Sequence, residues 1–386
     1  MKKLKVVTAL SVLLTTFSPA CSAQAQPDAK DASIEAIKTV SFSDISGHWA
    51  KESIEKAVQK GYVDGYEDGT FKPDQSVSRA EFIKMVATAL NLPVRGNTSG
   101  SDWYKPYVTV AEADGIHMPK DFADAEWNKP ITRQEMARIA VRSGLEGYKK
   151  SETSDEDFMF QATKTGLIQG MNGGDLAKEE ATTRAQSVTI IERILTVKAG
   201  GTLEVDKYAM SNAEMELYGT NVQTIWGLKA KQLPFEFDTG NGNVKGTIDK
   251  ILIVDQTDKN FPDHSDFSEV RTYDAYPPLE KDNNYVVGLH MNLVVMEPSD
   301  GFYIFSQNFS AFTPKYRNVI LDKNEKYPII AKGAGLIPLE EKQSFEGWYF
   351  MAISKETVDS WMEEGVHMGV VLAPVNRSGI IRLTEH

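Results

Sequence analysis

The sequence predicts two dissimilar parts: an all-helical module built from three tandem helix pairs, and an all-β sandwich after it. Three observations carry this. A glycine and an arginine eighteen residues apart recur three times, as Gly61 and Arg79, Gly115 and Arg133, and Gly166 and Arg184. Each glycine follows an alanine by four residues (Ala57, Ala111, Ala162), and each arginine lies between a hydroxyl residue and an acid or amide. Beyond Gly201 the helical spacing gives way to short runs rich in Val, Ile, Phe and Tyr. Fixed spacing repeated three times marks copies of one supersecondary unit.

A chain of 386 residues is long enough for two or three domains. Its formal net charge of -12 argues against a general nucleic-acid binder, which needs a broad basic field. At the N-terminus, Lys2, Lys3 and Lys5 precede the apolar run Val6 to Phe17, and Ala23-Gln24-Ala25 offers a small-x-small cleavage site. Residues 1–25 therefore read as an export signal, with a mature chain from about Gln26. That mature chain has no cysteine, because Cys21, the only one, is discarded. An alternative is a lipoprotein with Cys21 lipidated after Ser18-Pro19-Ala20. No later segment is long and apolar enough to span a bilayer. Residues 26–41 are polar and alanine-rich, and read as a tether.

The copies divide as 42–96, 97–147 and 148–197. In the first, Ala50, Ile54, Ala57 and Val58 fall on one face of a helix that Gly61 would cap. Tyr104, Val108 and Ala111 repeat that face before Gly115, and Met159 and Ala162 before Gly166. Trp49 and Trp103 occupy the same register, which Ser154 fills in the third copy. The loop Asp64 to Phe71 faintly suggests a calcium loop, but Tyr66 and Gln75 stand where ligands are needed. No metal or cofactor is expected.

The second helix of each copy begins at a capping box: Ser78 with Glu81, Thr132 with Glu135, and Thr183 with Gln186. Capping accounts for those six residues and not for the arginine between them. A cation in the first turn opposes the helix macrodipole. Three such cations, beside amides that also attract negative charge, point to recognition of a carboxylate or phosphate. Behind them lie core positions: Phe82, Met85, Val86 and Ala89; Met136, Ile139 and Ala140; Ile190, Ile191, Ile194 and Leu195. One pair of about 50 residues buries too little alone, so the three pairs should pack their second helices into one bundle, with the arginines at the junctions.

These residues resemble the S-layer homology domain of bacterial surface proteins. The likeness runs from Phe42 to about Val197. Its most specific parts are Phe42-Ser43-Asp44-Ile45, His48-Trp49-Ala50, the Gly65-to-Pro73 loop and the three Ser/Thr-Arg-x-Glu/Gln motifs. The resemblance implies a pseudo-threefold trimer of repeats that binds secondary cell-wall polysaccharide, often through a pyruvylated sugar, in grooves between repeats. It implies ligand contacts at Arg79, Arg133 and Arg184, supported by Asp44, Trp49 and Trp103. A ketal carboxylate suits a bidentate guanidinium and a sugar face suits an indole; plain core packing is the other reading of the tryptophans. Copies two and three depart from the pattern, so the grooves should be unequal, with Arg79 expected to matter most.

For residues 203–386 the candidate strands are 248–254, 285–295, 302–312, 347–353, 368–372 and 379–383, with one short helix from Ser354 to Glu364. Together they read as a single sandwich, weakly similar to immunoglobulin-like domains of bacterial surface proteins. Catalysis finds little support: no nucleophile elbow, zinc-type His-Glu-x-x-His or phosphate loop is present. His264, His290 and His367 are isolated in sequence, which favours surface or satisfied core residues. The reading is an exported, non-enzymatic wall-anchored protein of the cell surface. Its C-terminal sandwich would meet another surface protein or polymer. An anchored hydrolase and a structural S-layer subunit are the alternatives.

Overall fold

Each repeated glycine adopts the left-handed conformation that closes a helix: Gly61 at φ +73°, Gly115 at +82° and Gly166 at +74°. A Cβ is strained there, which fixes the residue type at these positions. Six helices follow in chain order: α1 (Lys51–Gln59), α2 (Arg79–Ala89), α3 (Lys105–Asp114), α4 (Arg133–Gly144), α5 (Asp155–Lys164) and α6 (Arg184–Lys198). The computed structural model describes residues 41–238, 244–267, 271–272, 283–298, 302–304, 316–320, 326–330, 336–338, 340–365, 369–372, 379–382 and 384. The expected export signal, Cys21, nearly all of the tether and His367 lie outside these residues.

The six helices share one core. Ile54 and Ala57 of α1, Phe82 and Val86 of α2, Ile139 and Ala140 of α4, and Ile190, Ile191 and Ile194 of α6 are all buried in it. Each such Ile, Val or Phe side chain is worth roughly 1.5–3 kcal/mol. The extended residues two before each arginine close a ring of backbone bonds. Val77 donates its amide to the Thr182 carbonyl (3.0 Å), Thr182 to Ile131 (2.9 Å) and Ile131 to Val77 (2.9 Å).

The chain after Gly201 corrects the all-β expectation. Helices α7 (Lys207–Tyr218) and α8 (Val222–Trp226) come first. Asp206 caps α7, accepting the amides of Tyr208 (2.9 Å) and Ala209 (3.1 Å), and Gly219 at φ +71° ends it. Ala209 and Ala213 join the core of the helix pairs, while Tyr208 and Met215 pack against the sheet. Helix α7 is thus a wall common to both parts.

Among the described residues ten strands follow: β1 (Phe235–Asp238), β2 (Val244–Asp255), β3 (Arg271–Thr272), β4 (Asn284–Val295), β5 (Phe302–Ile304), β6 (Tyr316–Ile320), β7 (Leu336–Pro338), β8 (Ser344–Ser354), β9 (Gly369–Leu372) and β10 (Gly379–Arg382). Six form an antiparallel sheet in the order β1-β2-β4-β8-β6-β3, and β5–β7 and β9–β10 are separate two-stranded ladders. Helix α9 (Lys355–Glu363) starts at Ser354, whose hydroxyl accepts the Thr357 amide at 3.2 Å. The expected strands 248–254, 285–295 and 347–353 lie within β2, β4 and β8. Of 302–312 the described part is β5, and Met368 and Leu383 lie outside the described residues.

The central strands are buried on both faces. Ile251, Leu289 and Met351 face α8 and α9 through Val222, Trp226 and Val358. Leu252, Val286 and Phe350 face Phe261 and Phe267, with α7 alongside. Double burial explains why these strands read as almost continuous apolar runs. Among the described residues helices cover this sheet, where the sandwich reading would have a second sheet.

Candidate functional site

The three motifs build one scaffold three times. Ser78, Thr132 and Thr183 accept the amides of Glu81, Glu135 and Gln186 at 3.3, 3.2 and 3.3 Å. The Glu81, Glu135 and Gln186 side chains accept the capping residues' own amides at 2.8, 3.1 and 3.0 Å. The next amides go to the neighbouring pair's loop. Arg79 and Ala80 donate to Lys129 (2.9 Å) and Trp127 (3.0 Å), and Arg133 and Gln134 to Glu180 (3.0 Å) and Lys178 (2.9 Å). Arg184 and Ala185 donate to Gln75 (2.8 Å) and Pro73 (2.9 Å). The N-terminal amides are therefore consumed within the protein, which corrects the expectation that they help draw an anion. Any such attraction falls to the side chains.

Each guanidinium leaves its own helix and reaches the neighbouring pair, where the three surroundings differ. Arg79, 8% exposed, meets carboxylates: Glu135 takes its Nε (3.1 Å) and Nη2, and Asp124 takes Nη1 (2.6 Å). Burial lowers its pKa, but the Glu135 and Asp124 bonds outweigh that and leave it raised. Nine residues beyond the α4 motif, Arg142 is 1% exposed and paired with Asp121 at 2.5 Å.

Arg133, 4% exposed, meets only carbonyls: Leu176 at 2.8 Å and Gln169 at 2.7 Å. Nine residues beyond the α6 motif, half-buried Arg193 donates to the Gln169 side-chain oxygen (2.7 Å) and weakly to the Leu167 carbonyl (3.5 Å). Among the described residues neither arginine pairs with a carboxylate. Burial lowers the Arg133 pKa against the charges of Glu180 and Asp175, and burial and then the Arg133 charge lower that of Arg193. Arginine remains protonated regardless, so these shifts mark positive charge that the protein leaves under-compensated. Both line a cleft of about 280 Å³ with Trp49, Gln169, Gln186 and Met171. Trp49 is 65% exposed and Met171 42%, an apolar wall beside a cationic floor.

Arg184 is intermediate. It donates to the carbonyls of Phe71 (2.9 Å) and Asp64 (2.8 Å) and lies against the Phe71 and Tyr66 rings at 4.5 and 5.1 Å. Asp44 accepts the amides of Phe71 (2.9 Å) and Lys72 (2.7 Å). Burial raises its pKa, but those two bonds win and leave it lowered. Both its oxygens hold the loop. Trp103 packs edge-on to Tyr104 and Tyr107. Of the six expected contacts, the cleft brings together Trp49 and Arg133. Sequence reasoning missed Arg193, although aligning the copies sets Thr88, Arg142 and Arg193 at one position. Two larger clefts, each about 630 Å³, contain none of the expected residues.

In the C-terminal part, His290 contacts Asp249 at 2.6 Å, and His264 opens a short 3-10 turn. Groups of three or more His, Cys, Asp or Glu able to hold a metal ion are absent among the described residues, as are helices long and apolar enough to cross a membrane.

Residues 41–83 match the S-layer homology domain. The chain is 30% identical over 179 residues to the exoglucanase XynX of Acetivibrio thermocellus, covering 41% of this chain and 16% of that protein. It is 28% identical over 190 residues to the surface-layer 125 kDa protein of Lysinibacillus sphaericus (45% and 16%). It is 43% identical over 65 residues to a cellulosome-anchoring protein of Acetivibrio thermocellus (17% and 14%). The chain thus spans under a fifth of the length of each.

Proposed function

The chain is an S-layer homology domain protein, and on that premise we propose that it is an exported protein held non-covalently at the bacterial cell wall. It binds secondary cell-wall polysaccharide and presents its sheet-containing part to another surface protein or polymer. The ligand end is an acidic sugar such as a pyruvate ketal, bound in the cleft of Trp49, Arg133 and Arg193. One observation carries this reading: two guanidiniums share a cleft, beside an exposed indole, and among the described residues their hydrogen bonds go to neutral oxygens. An oxyanion there gains charge-assisted bonds and a sugar face gains a flat apolar wall. The cyclic bonds among Val77, Ile131 and Thr182 support three S-layer homology repeats in a pseudo-threefold arrangement. No catalytic step is assigned to the chain.

Cosedimentation with cell-wall sacculi tests the anchor. The purified chain should pellet with sacculi that retain their polysaccharide and stay in solution with sacculi stripped by hydrofluoric acid. Equal pelleting with both would overturn the proposal.

A further inference from the structure

We propose that Arg193 is a second ligand-binding cation, so that the cleft grips one oxyanion from two sides; the inference rests on the wall-anchoring function. Arg133 and Arg193 come from different repeats and share Gln169, whose backbone carbonyl serves one and whose side-chain oxygen serves the other. The two like charges are near enough for Arg133 to depress the Arg193 pKa. A buried guanidinium elsewhere in these junctions has carboxylate partners, as Glu135 and Asp124 provide for Arg79. Here that place is left to the ligand. Among the described residues Arg133 bonds through Nε and Nη2 and not through Nη1, and the Nη1 of Arg193 makes the 3.5 Å contact to Leu167 alone.

The geometry selects a chemical class. Two cations bonded only to neutral oxygens favour a ligand that brings negative charge as well as acceptor oxygens, which a carboxylate or phosphate attached to a sugar provides; a neutral sugar brings acceptors without the charge. The position is particular to the third copy. Its counterparts are Thr88, without charge, and Arg142, already paired with Asp121. One high-affinity site per chain follows.

Calorimetry on the purified full chain, with polysaccharide released from sacculi as the probe, tests this. Three preparations are compared: untreated polymer, polymer with ketals removed by mild acid, and polymer treated with phosphatase. The parent should bind untreated polymer with one site per chain. Loss of binding with the acid-treated polymer assigns a carboxylate, and loss with the phosphatase-treated one assigns a phosphate. Arg193→Gln should weaken binding about tenfold and make the affinity fall less steeply with salt, since one fewer charge contact is screened. Arg193→Lys should recover the salt response but little of the affinity. A role confined to holding Gln169 would leave the salt response at the parent value, and that result overturns the inference. Undiminished binding by Arg193→Gln beside a weakened Arg133→Gln overturns it while leaving the anchor intact. Failure of the parent to bind untreated polymer overturns both.

Discussion

The junctions built by Arg79 and by Arg133 share a backbone and differ in charge. In each, a first-turn arginine reaches across to the next helix pair, and its own amide is held by that pair's loop. Matching the copies residue by residue sets Glu135 against Gln186, Arg142 against Arg193, and Asp121 against Asn172. At the first junction every cation has a carboxylate: Arg79 has Glu135 and Asp124, and Arg142 has Asp121. At the second, Gln186 and Asn172 are neutral, Asp175 in the place of Asp124 acts on Arg133 through its charge alone, and neither Arg133 nor Arg193 has a carboxylate bond among the described residues. A capping box works with either Glu or Gln, so a substitution silent for the helix decides whether the arginine beside it is spent on folding or left for a ligand.

The largest expected effect separates these two uses. Arg79→Ala strips the buried Glu135 of its partner and should cost ~3–5 kcal/mol in denaturant unfolding, with polysaccharide affinity within about twofold of the parent. Arg133→Ala should do the reverse, losing about tenfold or more in affinity with the smaller loss of stability. Equal stability losses would erase the distinction between the junctions.

Gln186→Glu sharpens the comparison by converting the second junction into the first. The new carboxylate should pair with Arg133 as Glu135 pairs with Arg79, lowering affinity roughly ten- to a hundredfold. The thermal midpoint should hold, because the cap survives. Calorimetry with the released polysaccharide, followed by a thermal melt, reads both, and unchanged affinity would remove Gln186 from the account.

The smallest effect concerns acid. Burial raises the Asp121 pKa, but the His117 ring at 3.2 Å and the bonds from Arg142 and the Met118 amide outweigh it and bring it from 3.8 down to about 2. A depressed folded pKa gives stability that is present above 3.8 and lost as pH falls through about 2, worth ~2 kcal/mol. Urea unfolding between pH 4 and 2 should therefore lose that much, and Asp121→Asn should flatten the limb. An unaltered limb would mean that Arg142 does not depend on Asp121.

The scaffold was legible because glycine closure and capping boxes are local chemistry, visible as Gly61, Gly115 and Gly166 with Ser78, Thr132 and Thr183. The charge state of the junctions was not. Glu135 and Gln186 were readable as caps, but which arginine each faces is a tertiary fact. Arg193 lies outside the repeated motif and gains meaning only when Gln169 is seen to bind it and Arg133 together. Helix α7 escaped because Ala209, Ser211, Asn212 and Ala213 dilute its apolar period, although Asp206 and Gly219 mark its ends. The three long strands were found because double burial made them unbroken apolar runs.

The backbone ring of Val77, Ile131 and Thr182 also ties the three helix pairs to one another. A linear stack of repeats can lengthen or shorten by a unit, and needs special end units to shield its open faces. A closed ring has no ends: each member both gives and receives one amide bond. A fourth copy has no vacant partner to join, and deleting one leaves a donor and an acceptor stranded at the centre. One junction can therefore be hardened into an ion pair and another left open while all three helix pairs stay tied to the same ring of backbone bonds.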